Sequence, residues 1–216
     1  SATSWMLSKV VHNKGGLYNR LTEQIHLRTF CLRECEAYVK AAGLALNRNQ
    51  ILQYYMIFGG VPYYWGFLKK GLSLSQNIDS ILLEKDAPLR DEFKYLYASV
   101  FKKPENYVKI MEALGTKKVG MTREEIITAT KIPNSGDLTT KLEELESCGF
   151  IRKYNAFGMK KKNAIYQLMD CFTLFYFKFL KSEPTDEHFW TNQINTPAVN
   201  TWLGLAFERV CMEHVN

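Results

Sequence analysis

The chain has 216 residues, of which 46% are hydrophobic and 23% are charged, an ordinary globular composition. This composition excludes a disordered tail, a collagen-like fibre and a low-complexity linker. The formal net charge of +6 suits contact with nucleic acid or an acidic partner, but plain solubility explains it equally well. The length is enough for one large or two small domains.

The five cysteines predict a reduced, cytoplasmic setting. Their number is odd, their positions are scattered, and no signal peptide is recognisable ahead of them. They do not form Cys or His pairs at zinc-ligand spacing, so no metal site is expected. The longest apolar stretch, 171–177, is followed by Lys178 and is too short to span a bilayer, so no membrane partner is expected.

The first hundred residues predict mainly helices. Residues 6–12 fit a short helix, whereas 24–28 alternate apolar and polar residues as a half-buried strand does. After residue 30, apolar residues at helical spacing alternate with Gly or Pro stop signals. The helices predicted there cover 32–42, 49–58, 63–69, 72–83 and 91–101. Residues 30–102 are therefore predicted to form an all-helical unit.

The block that starts at Pro104 contains the clearest pattern in the chain. A first helix begins at Pro104, a Thr122-Arg-Glu-Glu125 capping box begins a second, and Asp137 is predicted to cap a third. The period then changes to that of strands over 150–154 and 164–168, on either side of a basic hairpin. Helix, helix, turn, helix and hairpin is the order of a winged helix-turn-helix.

The last part of the chain predicts a Phe- and Leu-rich helix over 172–180 and a final helix over 201–214. The final helix carries four apolar residues with little further chain to cover them: Trp202, Leu205, Phe207 and Val210. We therefore expect this domain to be truncated.

Two segments of the predicted winged helix carry the candidate DNA contacts. The third helix offers Thr139 and Lys141, but it also carries four acidic residues that would repel DNA. The wing is basic and able to contact a phosphate backbone. Its candidate residues are Arg152, Lys153, Lys160, Lys161 and Lys162. Three interpretations of this hairpin stay open: a protein-docking surface, a DNA contact and a solvated loop.

Motifs of the common nucleotide-binding and catalytic sites are absent from the sequence. The chain has no Gly-x-x-x-x-Gly-Lys-Ser/Thr or Gly-x-Gly-x-x-Gly phosphate loop, no His-Glu-x-x-His and no Gly-x-Ser-x-Gly. The four histidines are far apart in sequence, and none has a plausible nucleophile beside it. The residues alone therefore predict no enzyme site.

Six short motifs, spread along essentially the whole chain, are informative when they are taken together. They are Ser1-Ala-Thr-Ser-Trp-Met6, Gly15-Gly-Leu-Tyr-Asn-Arg20, Leu32-Arg-Glu-Cys-Glu-Ala37, Gly59-Gly-Val-Pro62, 145–154 and Trp202-Leu-Gly-Leu-Ala-Phe-Glu208. In this order they resemble the archaeal-type AAA ATPase family of bacteria and archaea. In that family a P-loop domain is followed by a helical lid, a winged helix and a nuclease-like region.

The resemblance implies four segments in this chain. Residues 1–29 would be the remnant of an AAA core without its first two nucleotide motifs, and 30–102 the helical lid. The winged helix-turn-helix would cover 103–168, and a nuclease-like domain would begin in 169–216. ATP and magnesium would be bound in the full-length parent, through an upstream P-loop domain, and not by this part alone. The expected fold is mainly α with a small β wing.

Individual residue roles follow from the same resemblance. Ser1 and Thr3 match the polar end of the sensor-1 strand. Arg20 matches an arginine finger, which stabilises charge on the phosphate of a neighbouring subunit in a homo-oligomer; a surface ion pair is the alternative. Gly60 and Pro62 match the turn that lays a proline against adenine, although locally they also fit a plain helix stop.

Glu208 matches the first acidic residue of the nuclease-like region, but the later acidic motifs have no counterpart in the chain. One carboxylate cannot hold the metal that such chemistry needs, so we expect no DNA cleavage. The chain also departs from the family at Thr29, where Pro is usual, and at Cys31, where Thr or Ser usually caps the lid helix. A looser junction between strand and lid is therefore expected.

The function that we expect is that of the parent, an ATP-dependent switch in which nucleotide controls how lid and winged helix pack. The winged helix would dock on DNA or protein, and the 216 residues alone would show no ATPase activity. The alternative is a free-standing winged-helix transcriptional regulator that binds duplex DNA, in which 1–102 sense or dimerise. A third interpretation is a nuclease subunit whose catalytic half is on another chain.

Overall fold

The computed structural model of the chain describes residues 20, 22, 23, 25, 27–155 and 164–214. The chain divides into two compact units. We call them the hairpin unit, made of 1–26 and 94–170, and the helical unit, made of 27–93 and 171–216. Most of the predicted lid and nearly all of the predicted C-terminal segment therefore share the helical unit. The predicted winged helix-turn-helix lies within the hairpin unit.

The described residues are mainly helical, with one small antiparallel sheet, so the predicted mainly α class is confirmed. In chain order the elements are α1 (Leu32–Ala41), α2 (Arg48–Phe58), α3 (Pro62–Trp65), α4 (Leu74–Leu82), α5 (Glu92–Val100), α6 (Glu105–Gly115), β1 (Met121–Thr122), α7 (Arg123–Thr130), α8 (Gly136–Ser147), β2 (Ile151–Tyr154), β3 (Ile165–Leu168), α9 (Cys171–Phe175), a π-helix (Tyr176–Leu180), α10 (Phe189–Gln193) and α11 (Pro197–His214). None of the helices in the described ranges is long and apolar enough to cross a membrane.

Local signals set the ends of several helices. At the start of α2 the Asn47 side chain accepts the Gln50 amide at 3.0 Å, and Gln50 Oε1 accepts the Asn47 amide at 2.9 Å. Ser73 and Gln76 form the same reciprocal pair at the start of α4. Gly59 ends α2 with a φ of 60°. The predicted helices over 32–42, 49–58, 72–83, 91–101 and 172–180 are confirmed to within two residues at each end.

Three predicted helix boundaries are wrong. The helix predicted over 63–69 ends at Trp65, and that predicted over 201–214 starts four residues earlier, at Pro197. Proline is favoured in the first turn of a helix because backbone N–H groups there have no intrahelical acceptor, so the N–H that proline lacks is not missed. Asp137 does not cap α8, whose N-cap is Ser135; the Asp137 carboxylate lies in the first turn and pairs with Lys141.

Aromatic side chains form the core of the helical unit. Tyr54 packs against Phe58 and Trp65 with ring centroids 4.5 and 4.8 Å apart. Phe175 packs edge-on against Trp190 and Trp202, at 5.0 and 5.5 Å. The expectation that the apolar residues of the final helix would have little to pack against is wrong for Trp202 and Val210, which are 6% and 2% exposed. Phe207 on the same helix is 48% exposed, as that expectation implied.

A buried carboxylate joins two distant parts of the helical unit. Asp79 on α4 is 1% exposed and accepts the backbone N–H groups of Trp190 and Thr191 at 2.8 and 3.1 Å. It also accepts the Thr191 hydroxyl at 2.5 Å. These donors belong to the first turn of α10, where backbone N–H groups have no intrahelical partner. Asp79 therefore caps a helix that starts 110 residues later in the chain.

The hairpin unit contains the three strands of the described residues, in the order β1-β3-β2 with both pairs antiparallel. Helix α6 packs against α7 and β3, and α8 packs against β2. The two strands of the predicted hairpin are confirmed within one residue at each end. The two-residue strand β1 was not predicted; it pairs Met121 with Tyr166 and Thr122 with Ile165.

The predicted strand over 24–28 is wrong for the residues that can be described. Ile25, Leu27 and Arg28 have irregular backbone, and Ile25 and Leu27 are 77% and 88% exposed. A strand needs a hydrogen-bonding neighbour, and the described residues place none beside this segment. The helix predicted over 6–12 lies outside the described residues.

Candidate functional site

The Gly59-Gly60-Val61-Pro62 turn is tied to the segment that leads into α1. The Phe30 amide donates to the Gly60 carbonyl at 2.7 Å. A Cβ added to Gly60 would lie 1.8 Å from the Phe30 carbonyl oxygen, so only glycine permits this approach. The turn with Gly60 and Pro62 therefore lies directly against the backbone of Phe30, the segment that leads into α1.

A second hydrogen bond holds the turn from the other side. The Trp65 indole N–H donates to the Gly59 carbonyl at 2.9 Å, and Trp65 is fully buried. Pro62 is exposed at the first position of α3, and Tyr63 beside it is 59% exposed. The turn therefore presents a proline and an aromatic ring to solvent on a backbone that is fixed at two points.

Glu92 lies close to the same helix. The Tyr64 hydroxyl donates to Glu92 Oε1 at 2.8 Å. Burial raises the pKa of the Glu92 carboxyl above its ordinary value, and the hydrogen bond from Tyr64 partly opposes that change. Tyr64 itself is 3% exposed and packs against Phe172 at 5.5 Å. Glu92 therefore connects the start of α5 to the short helix that carries Pro62.

Cys31 is the N-cap residue of α1. The Cys31 amide donates to Glu34 Oε2 at 2.8 Å, and this bond is the main reason that the pKa of Glu34 is lowered. Glu34 thus supplies its half of the capping interaction. Together with the bond from Phe30 to Gly60, it orders the junction for which the sequence predicted a looser structure.

The basic residue of α8 faces inward. The Lys141 side chain is 12% exposed, pairs with Asp137 and lies over the Tyr107 ring, 5.4 Å from its centroid. The Tyr107 hydroxyl donates to Glu144, which is on the same side of the helix. The exposed side chains of α8 are Asp137, Thr139, Thr140, Glu143, Glu146 and Ser147. Thr139 and Lys141, both candidate DNA contacts, are therefore not presented together, and the exposed surface of α8 is acidic.

Alternation along β2 separates Arg152 from Lys153. Lys153 is on the same side of the sheet as the buried Ile151, with its ammonium 5.7 Å from the Tyr166 ring centroid. Arg152 is on the opposite side, where its Nε donates to Gln167 Oε1 at 2.8 Å. The two residues that the sequence places in one basic cluster thus belong to different faces of the sheet.

Gln167 joins Arg152 to the loop before β1. Its amide Nε2 donates to the Lys118 carbonyl at 2.6 Å, and the residue is 4% exposed. The Tyr154 hydroxyl makes a second bond to this loop, to the Val119 carbonyl at 2.6 Å. The Arg152 guanidinium lies 5.1 Å from the Tyr154 ring centroid. Sequence reasoning missed Gln167 because no local pattern marks a buried glutamine that connects a neighbouring strand to a loop.

The other predicted site residues are placed singly or lie outside the described residues. Arg20 is exposed in a turn, and Glu208 is exposed on α11. Ser1, Thr3 and the wing lysines Lys160, Lys161 and Lys162 lie outside the described residues. Within the described ranges no group of three His, Cys, Asp or Glu side chains is arranged to hold a metal ion. All five cysteines are described and are thiols rather than disulfides.

Comparison with known proteins gives no relative. No protein-family model, no curated protein and no solved structure matches this chain.

Proposed function

We propose that this chain is the lid and winged-helix part of an ATP-dependent switch similar to the archaeal-type AAA ATPases. ATP and magnesium would be bound mainly by a P-loop domain outside these 216 residues, in a cytoplasmic protein. The hairpin unit would be the winged helix that docks on DNA or on a partner protein. The observation that carries the proposal is the junction between Phe30 and Gly60.

This junction supports a nucleotide-controlled lid for a mechanical reason. The Gly60 turn and the Phe30 backbone are held by a 2.7 Å hydrogen bond and by an approach that leaves no room for a side chain. A nucleotide whose base rests on Pro62 therefore acts directly on the segment that leads from the proposed core into α1. In signalling ATPases related to the family that this chain resembles, a similar turn lays a proline against adenine. In the family itself, a residue that matches Arg20 resembles an arginine finger, which stabilises charge on the phosphate of a neighbouring subunit.

The first test is the intact mass of the endogenous protein, captured from its native cells with an antibody raised against this chain. We expect a mass well above 25.0 kDa, with peptides that map upstream of Ser1 and contain a phosphate-binding lysine. A mass near 25.0 kDa would overturn the proposal.

The second test asks whether the turn contributes to nucleotide binding by the native protein. Pro62→Ala should weaken binding of a fluorescent ATP analogue with magnesium by about five- to tenfold, because a base contact of about 1 kcal/mol is lost. Pro197→Ala is the matched control, since Pro197 is also an exposed proline at the first position of a helix. Equal affinities for the two variants would contradict the adenine role of Pro62.

The alternative is a free-standing winged-helix regulator of transcription. The order helix, strand, helix, helix, strand, strand over 105–168 of the hairpin unit, with sheet order β1-β3-β2, favours it equally. This alternative predicts a native mass near 25.0 kDa and tighter binding to one DNA sequence than to others. Replacing Lys160, Lys161 and Lys162 by Ala should then reduce the salt slope of DNA binding by up to about three.

The nuclease interpretation has less support. Glu208 is exposed on α11, and no cluster of three possible metal ligands occurs in the part of the chain that the structure describes. We expect duplex DNA to stay intact with this chain and magnesium or manganese. Cleavage that is lost in Glu208→Gln would support the nuclease interpretation instead.

A further inference from the structure

A buried asparagine holds the loop that follows α3. Asn77 on α4 is 0% exposed, and its Oδ1 accepts the Lys69 amide at 2.7 Å. Its Nδ2 lies within 3.3 Å of the carbonyl oxygens of Lys69, Leu72 and Ser73. One side chain therefore ties both ends of the loop 69–73 to α4. The backbone of Lys69 is fixed, although Lys69 is exposed to solvent.

Two further lysines lie around the end of α1. Gly43 follows this helix with a φ of 64°, and its amide donates to the Lys40 carbonyl at 3.1 Å. A Cβ added to Gly43 would lie 2.9 Å from Lys70 Nζ, so the Lys70 ammonium rests against this turn. Lys40 and Lys70 are both exposed. The carbonyl end of a helix carries a partial negative charge, which favours an ammonium there without cancelling its full charge.

These lysines have no acidic neighbour along the chain. The charged residues of 37–78 are Lys40, Arg48, Lys69 and Lys70, and the stretch contains no Asp or Glu before Asp79. Arg48 forms an ion pair outside the stretch, with its Nε 2.8 Å from a carboxylate oxygen of α1. The three lysines make no ion pair or side-chain hydrogen bond with any residue that the structure describes. Their positive charge is therefore available to an anionic partner.

An exposed tyrosine stands shortly before Lys69 on the same ordered segment. Tyr63 on α3 is 59% exposed, and its ring packs edge-on against Phe67 with the centroids 5.0 Å apart. The Leu68 amide donates to the Trp65 carbonyl at 3.4 Å, so the turns after α3 continue up to Lys69. The segment thus combines one aromatic side chain, supported by a second ring, with lysines that follow a few positions later.

We propose that Tyr63, together with Lys40, Lys69 and Lys70, binds a single strand of nucleic acid. A single strand offers unstacked bases to an aromatic ring and phosphates to lysines, and proteins that bind single strands combine these two elements. A membrane surface would suit several exposed apolar residues, whereas Tyr63 is the only exposed large hydrophobic residue in 28–94, all of which the structure describes. This inference goes beyond the proposed switch and does not depend on it.

The experiment measures fluorescence anisotropy of labelled oligonucleotides between about 50 and about 200 mM salt. The parent for all measurements carries alanine in place of Lys160, Lys161 and Lys162, so that the predicted wing contacts do not contribute. The probes are thymidine and uridine homopolymers of about 15 nucleotides and a DNA duplex of the same length. We expect single strands to bind at least about fivefold more tightly than the duplex, whose bases are already stacked. The two homopolymers distinguish DNA from RNA.

One substitution tests the aromatic contact. Tyr63→Leu should lower the affinity for single strands by about fivefold to tenfold, because a base loses its stacking partner, and should leave duplex binding unchanged. Tyr95→Leu is the matched control, since Tyr95 on α5 is 62% exposed, and it should stay within about twofold of the parent. Leucine keeps an apolar contact for Phe67, so the substitution removes the aromatic face and little else.

Two substitutions test the cations. Replacing Lys69 and Lys70 together by alanine should reduce the slope of log K against log salt by about 1.4, since each phosphate contact of a single strand contributes about 0.7. Lys40→Ala should reduce the slope by about a further 0.7. Lys85→Ala is the control for net charge, because Lys85 is exposed in the same unit but has an acidic residue on either side, and it should leave the slope unchanged.

Three results would overturn the inference. Unchanged single-strand affinity in Tyr63→Leu would exclude the ring from the contact and leave a surface that binds any polyanion. An unchanged salt slope in the variant without Lys69 and Lys70 would exclude the phosphate contacts. Absence of single-strand binding at about 50 mM salt would exclude the partner itself, and binding of the chain to phosphatidylserine vesicles would then assign the surface to a membrane.

Discussion

Replacing Gly60 by alanine tests the junction on which the proposed switch depends. The added Cβ would lie 1.8 Å from the Phe30 carbonyl oxygen and 2.8 Å from the Phe30 nitrogen. Both atoms belong to the backbone, so no side-chain rotation relieves the overlap. The turn and the Phe30 segment must separate, and the 2.7 Å hydrogen bond between them must break.

The cost follows from that bond and from the groups it leaves behind. A net hydrogen bond contributes about 1 kcal/mol, and an N–H stranded without a partner costs about 1–3 kcal/mol more. We therefore expect Gly60→Ala to lower the free energy of unfolding by about 2–4 kcal/mol, or the Tm by about 5–15 °C for a chain of this size. Gly204→Ala is the control: an added Cβ there has nothing within 4 Å, and alanine in the middle of α11 should stabilise it by up to about 1 kcal/mol.

Urea unfolding followed by tryptophan fluorescence is a suitable assay. Trp65, Trp190 and Trp202 all lie in the helical unit, and the Trp65 indole is bonded to the Gly59 carbonyl beside the substituted residue. The two variants should shift the midpoint in opposite directions. Equal stability of Gly60→Ala and Gly204→Ala, to within about 0.5 kcal/mol, would refute the close approach of Gly60 to Phe30.

Three further predictions concern single side chains of the helical unit. Asp79→Ala should lower the free energy of unfolding by about 3 kcal/mol, because it leaves buried N–H donors of α10 without an acceptor. Thr191→Ala keeps both backbone bonds to Asp79 and should lower the free energy of unfolding by only about 1 kcal/mol. Urea midpoints that do not rank the two variants in this order would contradict the capping role of Asp79. Burial raises the pKa of the Cys35 thiol to about 12, so little reactive thiolate is present at pH 8 and iodoacetamide should label Cys35 only in urea. Peptide mass spectrometry that finds Cys35 labelled in the folded protein would disprove its burial. Burial raises the pKa of the Glu92 carboxyl, so the folded state binds the carboxyl proton more tightly than the unfolded state and loses stability as the pH rises from 4.5 through the raised pKa. Glu92→Gln should reduce this loss of stability and give a higher Tm than the parent chain in thermal melts at pH 7. A lower Tm of Glu92→Gln at pH 7 would contradict the raised pKa.

The helix ends that could be predicted are those set by neighbouring residues. Thr122 accepts the Glu125 amide at 3.3 Å, and Glu125 Oε2 accepts the Thr122 amide at 2.8 Å, so the four-residue pattern was sufficient to place α7. The strand β1 ends at Thr122, the same residue that caps α7, but the sequence did not predict this strand. It is a strand only because residues 165–166 pair with it, more than 40 positions later, and two residues have no period to detect.

The candidate sites show the same limit. The Gly60 turn could be predicted, because glycine and proline mark turns locally, but its contact with Phe30 depends on the packing of the whole helical unit. The separation of Arg152 and Lys153 could have been foreseen, since successive residues of a strand point to opposite faces. The inward position of Lys141 could not, because it requires the Tyr107 ring from another helix.

The helical unit is discontinuous in sequence, and this has a consequence for its synthesis. Helix α2 packs against α9 and α11, and α4 packs against α10, whereas the hairpin unit is made largely from the stretch between these partners. At about 5–20 residues per second, a ribosome needs roughly 5–20 s to pass from residue 93 to the end of α10. Residues 94–170 are complete before any residue of α9, α10 or α11 has been made, and until then α2 has no partner from α9 or α11. We therefore expect the stretch 94–170 to be able to fold before the helical unit is complete, and a chaperone that shields apolar segments to be needed mainly by 27–93.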